Sequence, residues 1–284
     1  MNLPAQILTL LGIALGLTFG SFLNVVIVRL PIQLQSSWQK ECRDFLGIEH
    51  EVVPVRSLNI IFPRSHCFSC QESLSFFLNI PILSFLILRG RCANCAAFIS
   101  PQYPIVEMLG ATATTIALLN FGISIPAASA IIFSYCLIIL AFIDLREQLL
   151  PDQITIPLLW LGLIVNIEGT FTSLQAAVLG ATFGYLGLWS IFWTFKLITG
   201  KEGMGYGDFK FLAALGAWLG WSMLPIILLV ASSMALTAGM IGILSKRLHR
   251  GDAIAFGPYL ALAGYLVLYF RESVFEIYLS LLNF

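Results

Sequence analysis

Four cysteines and a small set of acids carry the chemistry that can be read in this chain. Cys67-Phe-Ser-Cys70 and Cys92-Ala-Asn-Cys95 form two CxxC pairs separated by 21 residues. Each pair bends the backbone so that two thiolates meet one ion, and the second pair closes a tetrahedron. The spacing therefore predicts a zinc site made by Cys67, Cys70, Cys92 and Cys95. Four protein thiolates leave no open coordination position, so the expected role of Zn2+ is structural. A redox dithiol, or thiols with no ligand at all, are the plainer alternatives. His66 adjoins the first pair, and Cys42 and Cys136 have no partner at ligand spacing.

The second chemistry belongs to carboxylates that lie where apolar stretches end. Asp144 lies in Ala141-Phe-Ile-Asp-Leu-Arg146, Asp152 closes Leu149-Leu-Pro-Asp152, and Asp208 closes Gly203-Met-Gly-Tyr-Gly-Asp208. Ionisable groups at membrane depth are costly and by default mark function. Two carboxylates facing each other there would share one proton. The ionised partner can then deprotonate a water while the protonated partner polarises a carbonyl. That is aspartyl peptidase chemistry, and it needs no metal and no nucleophilic side chain. The glycines before Asp208 permit tight, extended or left-handed backbone, and so close approach by a peptide. They match neither phosphate-loop pattern, and no HExxH or nucleophile elbow occurs. The plainer reading is that these acids cap helices or pair with Arg146 and Lys210. For Asp152, after Pro151 and before an apolar run, capping is the preferred reading. Glu107, in Pro104-Ile-Val-Glu-Met108, reads either as an interfacial structural acid or as part of a cosubstrate site.

The elements that must position these groups follow from composition. Of 284 residues, 58% are hydrophobic and 11% charged, against about 25% charged in an ordinary soluble domain. So few charges cannot cover a water-facing surface, which excludes a soluble globular enzyme. The 15 basic and 15 acidic residues balance, which argues against nucleic acid as partner. Apolar runs at 3–30, 102–121, 125–143, 154–168, 172–199, 209–220, 222–245 and 253–270 predict an all-α polytopic membrane protein of about eight spans, with short ones near 154–168 and 209–220. The first run lacks a preceding basic segment and is too long for a cleavable signal peptide. The expected organisation is a first transmembrane helix over 1–30, a cytosolic four-cysteine zinc domain over 31–101, and a membrane-embedded domain over 102–284.

With the N-terminus outside, all of the 15 Lys and Arg residues except Arg271 fall on the cytoplasmic side. This positive-inside bias predicts both termini periplasmic, and the zinc loop and aspartates on the cytosolic side. In that compartment thiols stay reduced, which favours metal over disulfide. Gly12, Gly16 and Gly20, and later Gly216 and Gly220, predict close helix packing, and Asn24 an interhelical hydrogen bond.

The residues taken together resemble a family over nearly the whole chain. Gly20-Ser-Phe-Leu-Asn-Val-Val-Ile-Val-Arg-Leu-Pro31, the paired CxxC loop, Asn79-Ile-Pro81, Leu88-Arg-Gly-Arg-Cys92, Tyr103-Pro-Ile-Val-Glu107, Asp144 with Leu150-Pro-Asp152, Gly205-Tyr-Gly-Asp-Phe-Lys210 and Phe256-Gly-Pro-Tyr-Leu260 are similar to segments of the bacterial type IV prepilin peptidases. These are membrane aspartic peptidases of the GxGD type with an attached N-methyltransferase. The resemblance implies that Asp144 and Asp208 are the catalytic pair and gives Asp152 no catalytic role. It implies cleavage of the basic leader of type IV prepilins and type II secretion pseudopilins after a glycine, usually before phenylalanine. The new N-terminus is then methylated with S-adenosylmethionine as cosubstrate. Gly90 and Arg91 match a segment linked to methylation, and Glu107 is nearby in sequence, so these three are the candidates for methyl transfer. Many members have CPxC at the first cysteine pair, where this chain has Cys67-Phe-Ser-Cys70. The implied setting is the bacterial inner membrane, with lipid and pilin substrates as partners, and a homo-oligomer is left open. A zinc-responsive transporter or channel is the competing reading. Against it, the acids cluster near one face, whereas transport sites usually lie near the midplane.

Overall fold

The structure is a computed structural model that describes residues 4–47, 66, 67, 69–72, 82–201, 203–249, 253–272 and 276. Asn79-Ile-Pro81, Arg56, Arg64 and Arg250 lie outside the described residues. The described backbone is mostly helical, and an isolated bridge pairs Arg91 with Phe98. The helices are α1 (Ala5–Leu46), α2 (Leu83–Ile87), α3 (Gln102–Phe121), α4 (Ile125–Glu147), α5 (Asp152–Val165), α6 (Leu174–Thr199), α7 (Tyr206–Leu219), α8 (Leu224–Leu244) and α9 (Gly257–Tyr269). Two compact units divide the chain, Met1–Ile139 and Leu140–Phe284, with α4 running through the boundary.

Among the described residues, five helices are long and apolar enough to cross a membrane: α1, α3, α4, α6, and α8 with the short turn before it. The expected count of eight is not reached. Helices α5, α7 and α9, at 14, 14 and 13 residues, are about 20 Å long, short of a hydrocarbon core about 30 Å thick. The reason for α7 is clear from its surroundings. From Asp208 to Leu219 every residue except Lys210 is buried, so the helix is apolar all round because protein covers it. The first helix departs in the other direction. It continues past Pro31 to Leu46, where Gly47 closes it in the left-handed conformation at φ 64°. Its 42 residues span about 63 Å, so the polar stretch after Leu30 extends the helix.

In the first unit α1 and α3 run antiparallel along a seam of small residues. A Cβ on Gly12 would lie 2.7 Å from Thr115 Cα, one on Gly16 would strike the Ala111 backbone, and one on Gly20 would lie 2.7 Å from Glu107 Cα. One turn further, the buried Asn24 side-chain amide donates to the Tyr103 carbonyl at 3.1 Å. Every fourth residue of α1 thus meets a residue four earlier in α3, which is the packing that the glycine spacing predicted.

In the second unit α7 forms the centre. Gly180 of α6 and Gly216 of α7 meet backbone to backbone, and a Cβ on Gly184 would lie 2.7 Å from the Leu212 carbonyl. Gly162 of α5 leaves room for the Trp218 indole, whose Nε1–H donates to the Leu158 carbonyl at 2.8 Å. Asn166, fully buried, ties the far end together. Its amide donates to the carbonyls of Ala217 (2.9 Å) and Trp218 (3.1 Å), and its oxygen accepts from the N–H groups of Phe171 (2.9 Å) and Thr172 (3.1 Å). Asn166→Leu keeps the volume and removes all four bonds. With roughly 1–3 kcal/mol for each buried group left unpaired, the expected result is a loss of several kcal/mol, seen as a lower midpoint in thermal unfolding of the detergent-solubilised protein.

Candidate active site

Asp144 sits three residues before the end of α4, in the second unit, and is 6% exposed. Its Oδ2 accepts the backbone N–H of Gly257 at 2.9 Å. Gly257 is the first residue of α9, followed by Pro258, and its N–H has no acceptor within the helix. The carboxylate therefore fills a place that the start of α9 leaves open. A Cβ on Gly257 would lie 2.7 Å from that same oxygen, so no other residue type fits there without moving Asp144.

Asp208 lies in the first turn of α7, after the extended Gly205, and is 8% exposed. An acid in a first turn suits the positive end of the helix. The glycines before it serve by lacking side chains, since none of Gly203, Gly205 and Gly207 has positive φ. A Cβ on Gly207 would lie 2.8 Å from Leu150 Cβ, and one on Gly205 would face Asp208 Oδ2 at 3.7 Å.

Leu150 joins the two halves. Its Cβ abuts Gly207, next to Asp208, and its Cδ2 lies 3.1 Å from the place a Cβ would take on Gly257, the residue bonded to Asp144. The structure thus places Asp144 and Asp208 around one buried leucine.

Asp152 does something else. Pro151 occupies the N-cap position of α5 and no side chain caps that helix. The capping role expected for Asp152 is replaced by an ion pair, in which Lys210 Nζ donates to its two carboxylate oxygens at 2.8 and 2.7 Å. Capping needs extended backbone, and Pro151 takes that position, leaving Asp152 as the first helical residue. The pair links α5 to α7 two residues beyond Asp208. It is a third to a half exposed, and such pairs contribute about 0–1 kcal/mol. Asp152→Asn is accordingly expected to keep peptide cleavage within a few-fold of the parent in a steady-state assay.

The thiol cluster belongs to the first unit. The sulfurs of Cys67, Cys70, Cys92 and Cys95 all lie within 4.8 Å of one another, and those of Cys67 and Cys95 are 3.7 Å apart. A tetrahedron with Zn–S bonds of about 2.3 Å separates its sulfurs by about 3.8 Å, so the four thiols fit zinc and are spaced too widely for a disulfide. The two knuckles share one backbone design. Cys67 N–H donates to the Glu72 carbonyl (3.0 Å) and Gln71 N–H to the Cys67 carbonyl (2.8 Å). Cys92 N–H likewise donates to Ala97 (2.8 Å) and Ala96 N–H to Cys92 (3.0 Å). Gln71 and Ala96, each just after a second cysteine, both take φ 56°. The first knuckle reaches this geometry without the proline of CPxC. Backbone N–H groups of Cys70 and Ser69 directed at the Cys67 sulfur pull its pKa down to about 6, which prepares one thiolate near neutral pH. His66 is not among the four ligands.

The three methyl-transfer candidates have separate partners. Gly90 forms a turn at φ 69°, with its N–H on the Phe85 carbonyl at 2.9 Å. The Arg91 guanidinium lies 4.8 Å over the Phe98 ring. Glu107, 7% exposed, accepts the Ile82 N–H at 2.7 Å and a bond from the Ser21 hydroxyl. Among the described residues no hydrogen bond or ion pair joins these three to one another. Gly257, Leu150 and Ile82 were not singled out by residue chemistry. The one available signal was a glycine followed by proline at a helix start, since backbone donors and leucine methyls have no signature of their own.

Comparison with known proteins accounts for both halves of the chain. Residues 14–121 match the bacterial peptidase A24 N-terminal domain, and residues 131–240 match the type IV leader peptidase family. Proteins named prepilin leader peptidase/N-methyltransferase are similar throughout. The one from Aeromonas hydrophila is 49% identical over 93% of this chain and 91% of its own length. That of Stutzerimonas stutzeri is 45% identical over 95% and 93%, and that of Pseudomonas aeruginosa 44% over 96% and 93%. No solved structure matches. Two buried aspartates, membrane helices on both sides of them in sequence, and identity along nearly the full length agree, and the chain belongs to the type IV leader peptidase family.

Proposed function

We propose that this protein removes the leader peptide of type IV prepilins and type II secretion pseudopilins, and then methylates the new N-terminus. The convergence of Asp144 and Asp208 around Leu150 carries the peptidase reading. Two like charges so close hold a single proton between them. The ionised carboxylate takes a proton from the attacking water, while the protonated one donates to the carbonyl oxygen of the scissile bond. A tetrahedral intermediate forms, and its collapse returns a proton to the leaving amine. The Gly257 N–H fixes Asp144 Oδ2 and so directs the other oxygen to the water. The positive-inside distribution supports an arrangement with both termini periplasmic, and the aspartates and zinc module on the cytosolic side of the inner membrane.

Zinc would be held by Cys67, Cys70, Cys92 and Cys95 and would staple the loop, leaving the hydrolytic chemistry to the carboxylates. In our reading S-adenosylmethionine supplies the methyl group, and Gly90, Arg91 and Glu107 are the residues that contact it. The relatives' names give a transporter no support.

The direct test is mass spectrometry of a purified prepilin incubated with the purified protein, with and without S-adenosylmethionine. The expected products are a shortened pilin, and the same pilin heavier by one methyl when the cosubstrate is present. Intact prepilin in both reactions overturns the reading.

A further inference from the structure

Helix α2 is five residues long and follows Ile82, a β-branched residue at φ 57°. Such a conformation is rare and persists only where neighbours impose it. Here the Ile82 N–H is held by Glu107 Oε2 at 2.7 Å. Glu107 lies five residues into α3, about 7.5 Å along its axis from Gln102. The twenty residues of α3 make about 30 Å, the thickness of the hydrocarbon core. With α3 placed across that core, the start of α2 is pinned to a level inside its edge.

The side chains of α2 suit this depth. Leu83, Leu86 and Ile87, at positions i, i+3 and i+4, form one stripe and are 50%, 64% and 70% exposed. In water that stripe would be unfavourable. Lipid tolerates it, provided the backbone is internally satisfied. From Leu86 onward it is: the N–H groups of Leu86, Leu88, Arg89, Gly90, Arg91 and Cys92 all reach main-chain carbonyls between Ile82 and Ala97. Arg89, just past the stripe, is exposed and has the length and charge to return to lipid phosphates.

We propose that α2 is a membrane-inserted element, with Leu83, Leu86 and Ile87 in the acyl region of the bilayer and Arg89 at the headgroups. The partner of this surface is the lipid itself, most strongly an anionic leaflet, by charge complementarity with Arg89. The inference rests on α3 as a span and does not use the aspartate pair. Its consequence is that the second knuckle, which begins at Cys92, is held against the membrane surface.

The test uses the full chain in vesicles of phosphatidylethanolamine and phosphatidylglycerol. An environment-sensitive fluorescent amino acid is placed at Leu86, in a second preparation at Ile87, and as a control at the exposed Asn94. Quenching is read with nitroxides on the upper acyl chain and with aqueous iodide. The expected result is acyl-chain quenching several-fold above iodide at Leu86 and Ile87, and the reverse at Asn94. Iodide dominating at Leu86 and Ile87 places α2 in water and overturns the proposal. Protection from both quenchers shows a protein partner on the stripe and overturns it equally. Should the Leu86 probe fail to fold, the more exposed Ile87 position gives the same reading. Leader cleavage measured on the same vesicles reports the peptidase separately.

Discussion

Asp208→Asn and Asp144→Asn are each expected to lower leader cleavage by about 10³-fold or more, within the range of lost general acid–base catalysis. The exchange keeps size and leaves an oxygen that can still accept the Gly257 N–H, so secondary structure, thermal midpoint and metal content should stay near those of the parent. In the proposed mechanism the two residues act as one unit around a shared proton. The double variant is therefore expected to be no worse than the singles, as interdependent catalytic groups behave. Methylation of a pilin already cut should persist in both, because that step does not use the pair. Mass spectrometry of the pilin N-terminus separates the outcomes. Cleavage by either variant within about ten-fold of the parent would remove that residue from the catalytic pair.

The zinc module gives the second large effect. Protein purified without chelator is expected to hold about one zinc per chain by elemental analysis. Cys67→Ser or Cys95→Ser should lose it, since a hydroxyl does not replace a thiolate. Structural zinc contributes about 10–16 kcal/mol in small metal modules, so the loop should become sensitive to protease while the membrane helices remain. Cleavage should survive better than methylation, because Gly90 and Arg91 flank Cys92 while both aspartates lie in the other unit. The acid side has a definite sign. Retention of zinc should fall as the pH is lowered, because protons compete with the metal for the four thiolates. Metal-free protein at neutral pH, prepared without chelator, would refute the four-thiolate site.

The main features of this molecule could be read from its residues for identifiable reasons. Thiol spacing is local, so the CxxC pairs signalled a cluster that the structure assembles. The glycine periodicity of α1 signalled the α1–α3 seam because Cβ atoms alone decide how near two helices can come. The aspartate pair was visible as acids at the edges of apolar runs, although its convergence depends on Leu150 and on the start of α9, which are non-local and chemically plain. The span count of eight is not confirmed where apolarity has two causes. The residues of α7 are apolar because protein surrounds them, and hydropathy reads that as lipid. Asp152 was misread because the same preference for helix starts covers the cap and the first turn, and Pro151 decided between them.

The glycine contact between α6 and α7 limits how a pilin could arrive. At Gly180 and Gly216 the two main chains already touch, and Gly184 repeats the contact one turn along. An extended strand needs about 4.8 Å of clear width beside its neighbour, and this joint has none to give. Lateral admission between these two helices is therefore closed at the level of Gly180 and Gly184.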